Sequence, residues 1–318
     1  MGWRSSRNYS RGSRELTRWI RSWCCLSVCV VFASCRQERE TGPRFADKPP
    51  IANPPVYSLT IHPLYNPTKL IQAYQPLVDY VNQHLSDARL GLEASRDYGK
   101  FEEKYRARKP DFLLPNPWQA IQAMKVGYRV LAMAGEPADF KGIFVVRKDS
   151  DLKVPADLRG KAVSYPAPTA LAACLMPQYF LHRHGVNVTT DIKNSYVGSQ
   201  ESAILNAYFG RSAAAATWPP PWRAFQKDYP SEAAELKVLW ETDPLVNNPV
   251  MARDDVPEKL VARVQALLLE LDGNEAGRVA LASMETARFL PATDATYEVV
   301  RHYVARFERE VRPVEPMQ

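Results

Sequence analysis

The residues best placed to do chemistry lie in loops that end one apolar run and open a helical one, and the chemistry they suit is capture. In Pro166-Ala167-Pro168-Thr169-Ala170-Leu171 a strand-like run gives way to the helical TALAACLMPQYFLHRHG. Thr169 is expected to cap that helix, and the free N–H groups from Ala170 onward would turn positive dipole toward an anion. An ordinary capped helix has the same signature. In Gly198-Ser199-Gln200-Glu201, Ser199 is a natural cap and Glu201 a first-turn acid, which alone could explain this polar loop. Tyr65 and Asn66 follow the first apolar run and could close on the same ligand; equally, Asn66-Pro67 is a good helix-start turn. Asn116-Pro117-Trp118 has the same form. Trp218-Pro219-Pro220-Pro221-Trp222 reads as a proline-stiffened turn whose indoles could wall a pocket or meet a cation; Trp222 is expected to pack, and Trp118 and Trp218 could equally do so.

Catalytic signatures are missing: there is no GxSxG, HExxH, P-loop or CxxC. The five histidines are scattered, and His182 and His184 are two apart on a helix and so face different ways. No catalytic residue, cofactor or metal site is expected.

The elements that position these loops alternate. Short apolar runs separated by amphipathic stretches imply an α/β fold with a largely parallel sheet. Strands are predicted at 57–64, 89–95, 111–114, 128–134, 142–147, 161–165, 194–197, 213–217 and 236–241, and helices at 67–85, 117–126, 169–184, 200–210, 257–272 and 294–310. In the first helix Leu70, Tyr74, Leu77, Val78, Val81 and Leu85 recur at three-and-four spacing, so one face is buried. All five loops then fall at the carboxyl ends of strands, where open α/β sheets bind ligands.

Several stretches resemble the phosphate, phosphonate and phosphite substrate-binding proteins of ABC transporters over roughly residues 57–295. They are Asn66-Pro67 before a helix holding Pro76-Leu77-Val78-Asp79-Tyr80-Val81, Pro110-Asp111-Phe112 leading to Asn116-Pro117-Trp118, GIFVVRKDSDLKVPADLRGKAVSYPAP, Tyr196 to Ser202, and Arg253-Asp254-Asp255-Val256-Pro257. The resemblance implies a type II-like two-lobed fold, each lobe a sheet flanked by helices, with residues 56–141 and 242–318 in lobe 1 and 142–241 in lobe 2. It implies a ligand cleft lined by Tyr65, Asn66, Asn116, Trp118, Thr169, Ala170, Ser199, Gln200 and Trp218. The partners implied are an ABC permease and its ATPase. The chain also departs from the pattern: relatives carry Ser/Thr-Thr-Ser-Gly where Thr169-Ala170-Leu171-Ala172 stands, often a histidine at Gln200, commonly a tyrosine at Trp118, and a loop that can present a carboxylate near Trp218. These departures imply an organic anion over bare phosphate, and a Trp218→Ala form that loses ligand affinity while keeping its unfolding midpoint. Two rivals share the fold: a sensor that presents its ligand to a receptor kinase or chemoreceptor, and a cofactor-building enzyme.

Six arginines, from Arg4 to Arg21, precede an apolar run from Ser22 to Ala33 that is too short to span a bilayer. Val31-Phe32-Ala33-Ser34-Cys35 resembles a bacterial lipobox, which implies export, lipidation at Cys35, and a leader at 1–34 whose true start codon could lie downstream of Met1. Residues 35–55 are proline-rich and read as a tether. With the leader gone, the 41 basic and 35 acidic residues become nearly equal in number, so the formal charge of +6 gives no argument for nucleic acid. Four of the five cysteines lie in or at the end of the leader, which leaves Cys174 as the one thiol beside the lipidated Cys35, so no intrachain disulfide and no cysteine-based metal site is expected. The expected product is a monomer, periplasmic or at the cell surface, tied to a membrane by its lipid.

Overall fold

A computed structural model describes residues 54–315. The leader, Cys35 and most of the tether lie outside the described residues. Among those described, no helix is long and apolar enough to cross a membrane.

The chain runs β1 (Val56–Ile61), α1 (Pro67–Gln83), β2 (Arg89–Glu93), α2 (Tyr98–Arg106), β3 (Phe112–Leu114), α3 (Pro117–Met124) and β4 (Tyr128–Ala134) before it crosses to a second sheet. There it forms β5 (Ile143–Arg147), β6 (Ala162–Tyr165), a π-helical turn (Leu171–Leu175) leading into α4 (Met176–Arg183), β7 (Lys193–Tyr196) and α5 (Gln200–Tyr208). β8 (Ala214–Thr217), α6 (Pro219–Asp228), α7 (Pro230–Ala234) and β9 (Leu236–Glu241) complete that part. The return supplies β10 (Pro249–Arg253), α8 (Glu258–Leu269), α9 (Glu275–Ser283), β11 (Phe289–Pro291) and α10 (Glu298–Glu310).

The first sheet has the order β11-β4-β10-β3-β1-β2 and the second β7-β6-β8-β5-β9. Each is mixed rather than largely parallel. β1 runs parallel to β2 and β3, but β10 lies antiparallel between β3 and β4. In the second sheet β6 runs parallel to β7 and β8, and β5 is antiparallel to both β8 and β9. Each sheet thus combines a parallel trio with a strand that has arrived from the other lobe.

Segments 135–142 and 242–248 make the two crossings, and they are bonded to each other. Gly142 N donates to Thr242 Oγ1 and Thr242 N to Gly142 O, both at 2.9 Å, and Leu245 N donates to Phe140 O at 2.9 Å. Gly142 has no room for a side chain: a Cβ there would lie 2.7 Å from Ala172 O and 2.8 Å from the Pro177 ring. The crossing backbone is therefore packed directly on the turn that leads into α4.

Arg253 and Asp111, both in motifs that carried the resemblance, are framework residues. Arg253 Nη2 donates to Asp111 Oδ1 at 2.8 Å, while Asp111 Oδ2 accepts from Ser58 N at 2.8 Å. The pair ties β10 to the start of β3 and to β1.

Candidate functional site

Where the lobes meet, buried polar side chains replace the aliphatic core. Tyr98 and Glu102 stand one turn apart on α2, which Asp97 caps through its side chain to Lys100 N. Neither was anticipated from the sequence. Glu102 is 0% exposed, and its Oε1 accepts from Thr169 Oγ1 at 2.7 Å across the lobe boundary and from Gln119 Nε2 at 3.3 Å within its own lobe. Its Oε2 accepts from Arg106 Nη2 at 2.8 Å. Burial pushes the Glu102 carboxyl above its ordinary range, against the pull of these donors.

A second set lies beside the first. Thr217 Oγ1 donates to Gln200 Oε1 at 2.8 Å, and Gln200 Nε2 reaches Tyr98 OH at 3.4 Å across the boundary. His62, edge-on to the Tyr98 ring, has Nδ1 3.0 Å from Leu114 O, and burial lowers its pKa to about 4. The imidazole is neutral at physiological pH and adds no cation to the cleft.

The residues singled out from the sequence divide by what they touch. Thr169 is fully buried but does not cap its helix: the turn begins after Ala170 without a side-chain cap bond, because the Thr169 hydroxyl is spent on Glu102. A charge-assisted bond to a buried carboxylate outweighs a neutral cap. Ala170 is buried and bonds back to Ala167 O. Asn116 both caps α3 in a reciprocal box with Gln119 and sends Nδ2 to Thr169 O at 3.1 Å. Ser199 caps α5, and Gln200 is buried in the row just described.

Others serve packing or closure. Asn66 is exposed and caps α1 through Lys69 N at 3.0 Å. Tyr65 is buried, with the Lys69 ammonium 4.7 Å from its ring centroid, and Lys69 pairs with Asp228 of the other lobe. Trp118 is buried against a groove shared with Arg301, Val304 and Glu308 of α10, a setting that belongs to lobe 1 alone. Cys174 is buried, and burial raises its thiol to about 12, so it is no nucleophile at neutral pH.

The segment from Trp218 to Trp222 is not a turn. Pro219, Pro220 and Pro221 form the first turn of α6, where a missing N–H costs no intrahelical bond. Trp222 stacks on Phe225 in the second sheet's outer core. Trp218 faces the lobe boundary, with its ring 5.4 Å from Phe140. It walls a cavity of about 20 Å³, room for roughly one water, shared with Leu64, Gly135, Asn248 and Glu285 of lobe 1. Beside it Arg223 donates to both oxygens of Asp139 at 3.1 and 2.9 Å and to Glu285 O at 3.1 Å, closing that rim.

The match to known proteins agrees with this geometry. Residues 59–297 fit the family model of the periplasmic substrate-binding proteins of phosphonate ABC transporters. The chain belongs to this family. Within it, a probable ABC transporter phosphite-binding protein of Prochlorococcus marinus is 24% identical over 182 residues, 53% of this chain and 61% of that protein, so the match spans less than two thirds of the relative. The binding-protein component of an ABC phosphonate transporter from Pseudomonas aeruginosa superposes with a TM-score of 0.75 at 16% identity, covering 81% of this chain and 88% of that one. PhnD1 of Prochlorococcus marinus, in complex with methylphosphonate, superposes at 0.74 with 20% identity, covering 81% and 100%. At these identities the structures establish the two-lobed binding-protein fold, which is that of the phosphonate-binding family.

Proposed function

We propose that this family member is an exported, lipid-anchored binding protein that captures a small phosphonate-like organic anion between its lobes and delivers it, as a monomer, to an ABC permease and its ATPase. The observation that carries this reading is the buried polar row at the lobe boundary, in which Thr169 of one lobe bonds Glu102 and Asn116 of the other and Gln200 reaches Tyr98, with Gln119 backing Glu102 from its own lobe. Thr169 and Gln119 converge from the two lobes on one acceptor oxygen, the arrangement that a ligand gripped by both lobes would need. Thr169, Ala170, Asn116, Gln200 and Trp218 are the proposed contacts. Ser199 and Asn66 would act as caps behind them, Tyr65 as a wall of the closing rim, and Trp118 as support for α3. Because the row is covered, entry requires the lobes to open about segments 135–142 and 242–248, a hinge motion.

The row has few hydroxyls and no histidine cation, whereas a bare phosphate dianion needs many donors. Methylphosphonate at 100 times its Kd is expected to stabilise the protein by about 2.7 kcal/mol, and inorganic phosphate at the same concentration to do much less. Thermal unfolding with methylphosphonate, phosphite, phosphate and methanesulfonate is the test. No rise in midpoint with any of the four would remove the anion-capture reading.

Anchoring is tested separately. Wild-type cells fed labelled palmitate are expected to yield a labelled protein that begins at Cys35, and a Cys35→Ser form to carry no label. Label on the serine form would place the attachment elsewhere.

A further inference from the structure

We propose that Glu102 is the chain's own occupant of the anion-accepting position, that it latches the lobes together when no ligand is bound, and that an anionic ligand binds by taking its place. The proposal rests on the capture reading above and names what sets affinity at that site.

The geometry supplies the argument. An anion gripped by two closing lobes has an oxygen that accepts hydrogen bonds from both, and Glu102 Oε1 is such an oxygen: Thr169 donates from one lobe and Gln119 from the other. The carboxylate arrives on α2, from the lobe opposite the Thr169 loop. Its second oxygen is held by Arg106, which leans in from the half-exposed side, so the buried charge is compensated by the chain's own donors. Asn116 Nδ2 adds a bond to Thr169 O and holds the loop against the same helix pair. Two negative groups cannot share these donors. An incoming phosphonate oxygen must therefore displace Glu102 Oε1, and the affinity observed is lowered by the stability of the latch, as for any ligand whose competent state is a minor one.

The same position distinguishes ligands. Bringing a second negative charge within a few ångströms of a carboxylate in a water-poor cleft is strongly unfavourable, and the neutral isostere removes that repulsion while keeping an acceptor for Thr169.

The experiment uses the soluble two-lobed protein in wild-type, Glu102→Gln, Glu102→Ala and Thr169→Val forms, each first shown to unfold cooperatively. Calorimetry with methylphosphonate, and with phosphate as second probe, is expected to give Glu102→Gln an affinity at least tenfold higher than wild type. Without ligand, small-angle scattering is expected to give Glu102→Ala and Thr169→Val a larger radius of gyration than wild type, because each removes one side of the latch. Equal or weaker methylphosphonate binding by Glu102→Gln would show that the carboxylate does not compete, and would overturn the displacement step. An unchanged radius in both Glu102→Ala and Thr169→Val would overturn the latch. No heat from either anion with any form would instead overturn the capture reading and displacement with it, while the scattering result still decides the latch.

Discussion

Trp218→Ala is expected to lower the unfolding free energy by about 3–5 kcal/mol, the range for truncating a well-packed tryptophan. The sequence alone suggested a ligand-facing indole whose loss would spare the free protein. In the structure Trp218 is 5% exposed, edge-on to Phe140 in one crossing segment, and forms a wall of the cavity that Asn248 and Glu285 share. Removing it enlarges a space that now holds about one water and leaves Phe140 without its partner. It also exposes the side where the buried Asn248 Oδ1 has no hydrogen-bond partner. Chemical denaturation in urea is the direct measurement. A loss under about 1 kcal/mol, with unchanged slope, would mean that the neighbouring side chains close the hole and that the indole is not part of the framework.

Gly142→Val is expected to cost about 2–4 kcal/mol and to weaken ligand capture at the same time. The principle is overpacking: added atoms in a filled space force backbone shifts worth roughly 1–3 kcal/mol, and here the nearest obstacle is backbone that a rotamer change cannot move. A Cβ at 142 would meet Ala172 O at 2.7 Å, and valine adds two methyl groups beyond it. Ala172 lies three residues after Thr169, so the strain is transmitted to the loop that bonds Glu102 and Asn116. Gly142→Ala should show the same two effects at smaller size. Urea denaturation and calorimetry on the same preparations separate them. Normal ligand affinity in a clearly destabilised Gly142→Val protein would show that the crossing and the loop move independently.

Much of the architecture is legible because its strongest elements have single causes. Residues 142–146 and 130–134 are continuous apolar stretches buried on both faces, and α1 carries a clean helical stripe. What escaped had its signal masked. In α2 the buried positions are Tyr98, Phe101, Glu102 and Tyr105, at helical spacing, but Gly99, Lys100, Glu103, Lys104 and Arg106 fill the rest and one buried position is itself an acid. Asp97 followed by aromatics at i+1, i+4 and i+8 was the available clue. α6 was hidden by three prolines, which suggest a turn unless their first-turn position is recognised. β10 and β11 are short, and their pairing depends on chain far away in sequence, which no local pattern carries. The cleft was half legible for the same reason. Thr169, Asn116 and Gln200 could be found from loop position, but their partners Glu102 and Tyr98 sit on the helix that was missed, and the function of a donor is set by its acceptor.

The insertion of β10 between β3 and β4 has a consequence for the rate at which the protein acquires its structure. Arg253 meets Asp111 from 142 residues away. Until that late stretch is available, β3 and β4 have no strand between them, and each presents an unpaired inner edge of the kind that templates association with other chains. The lobe that begins the described chain must therefore wait for the other to be traversed. Contacts of such long separation slow folding, because the loop must close before the pairing rewards it. Refolding from denaturant should accordingly be slow and sensitive to protein concentration, with the second sheet protected from hydrogen exchange before the first, since β5 to β9 are contiguous and can pair without waiting.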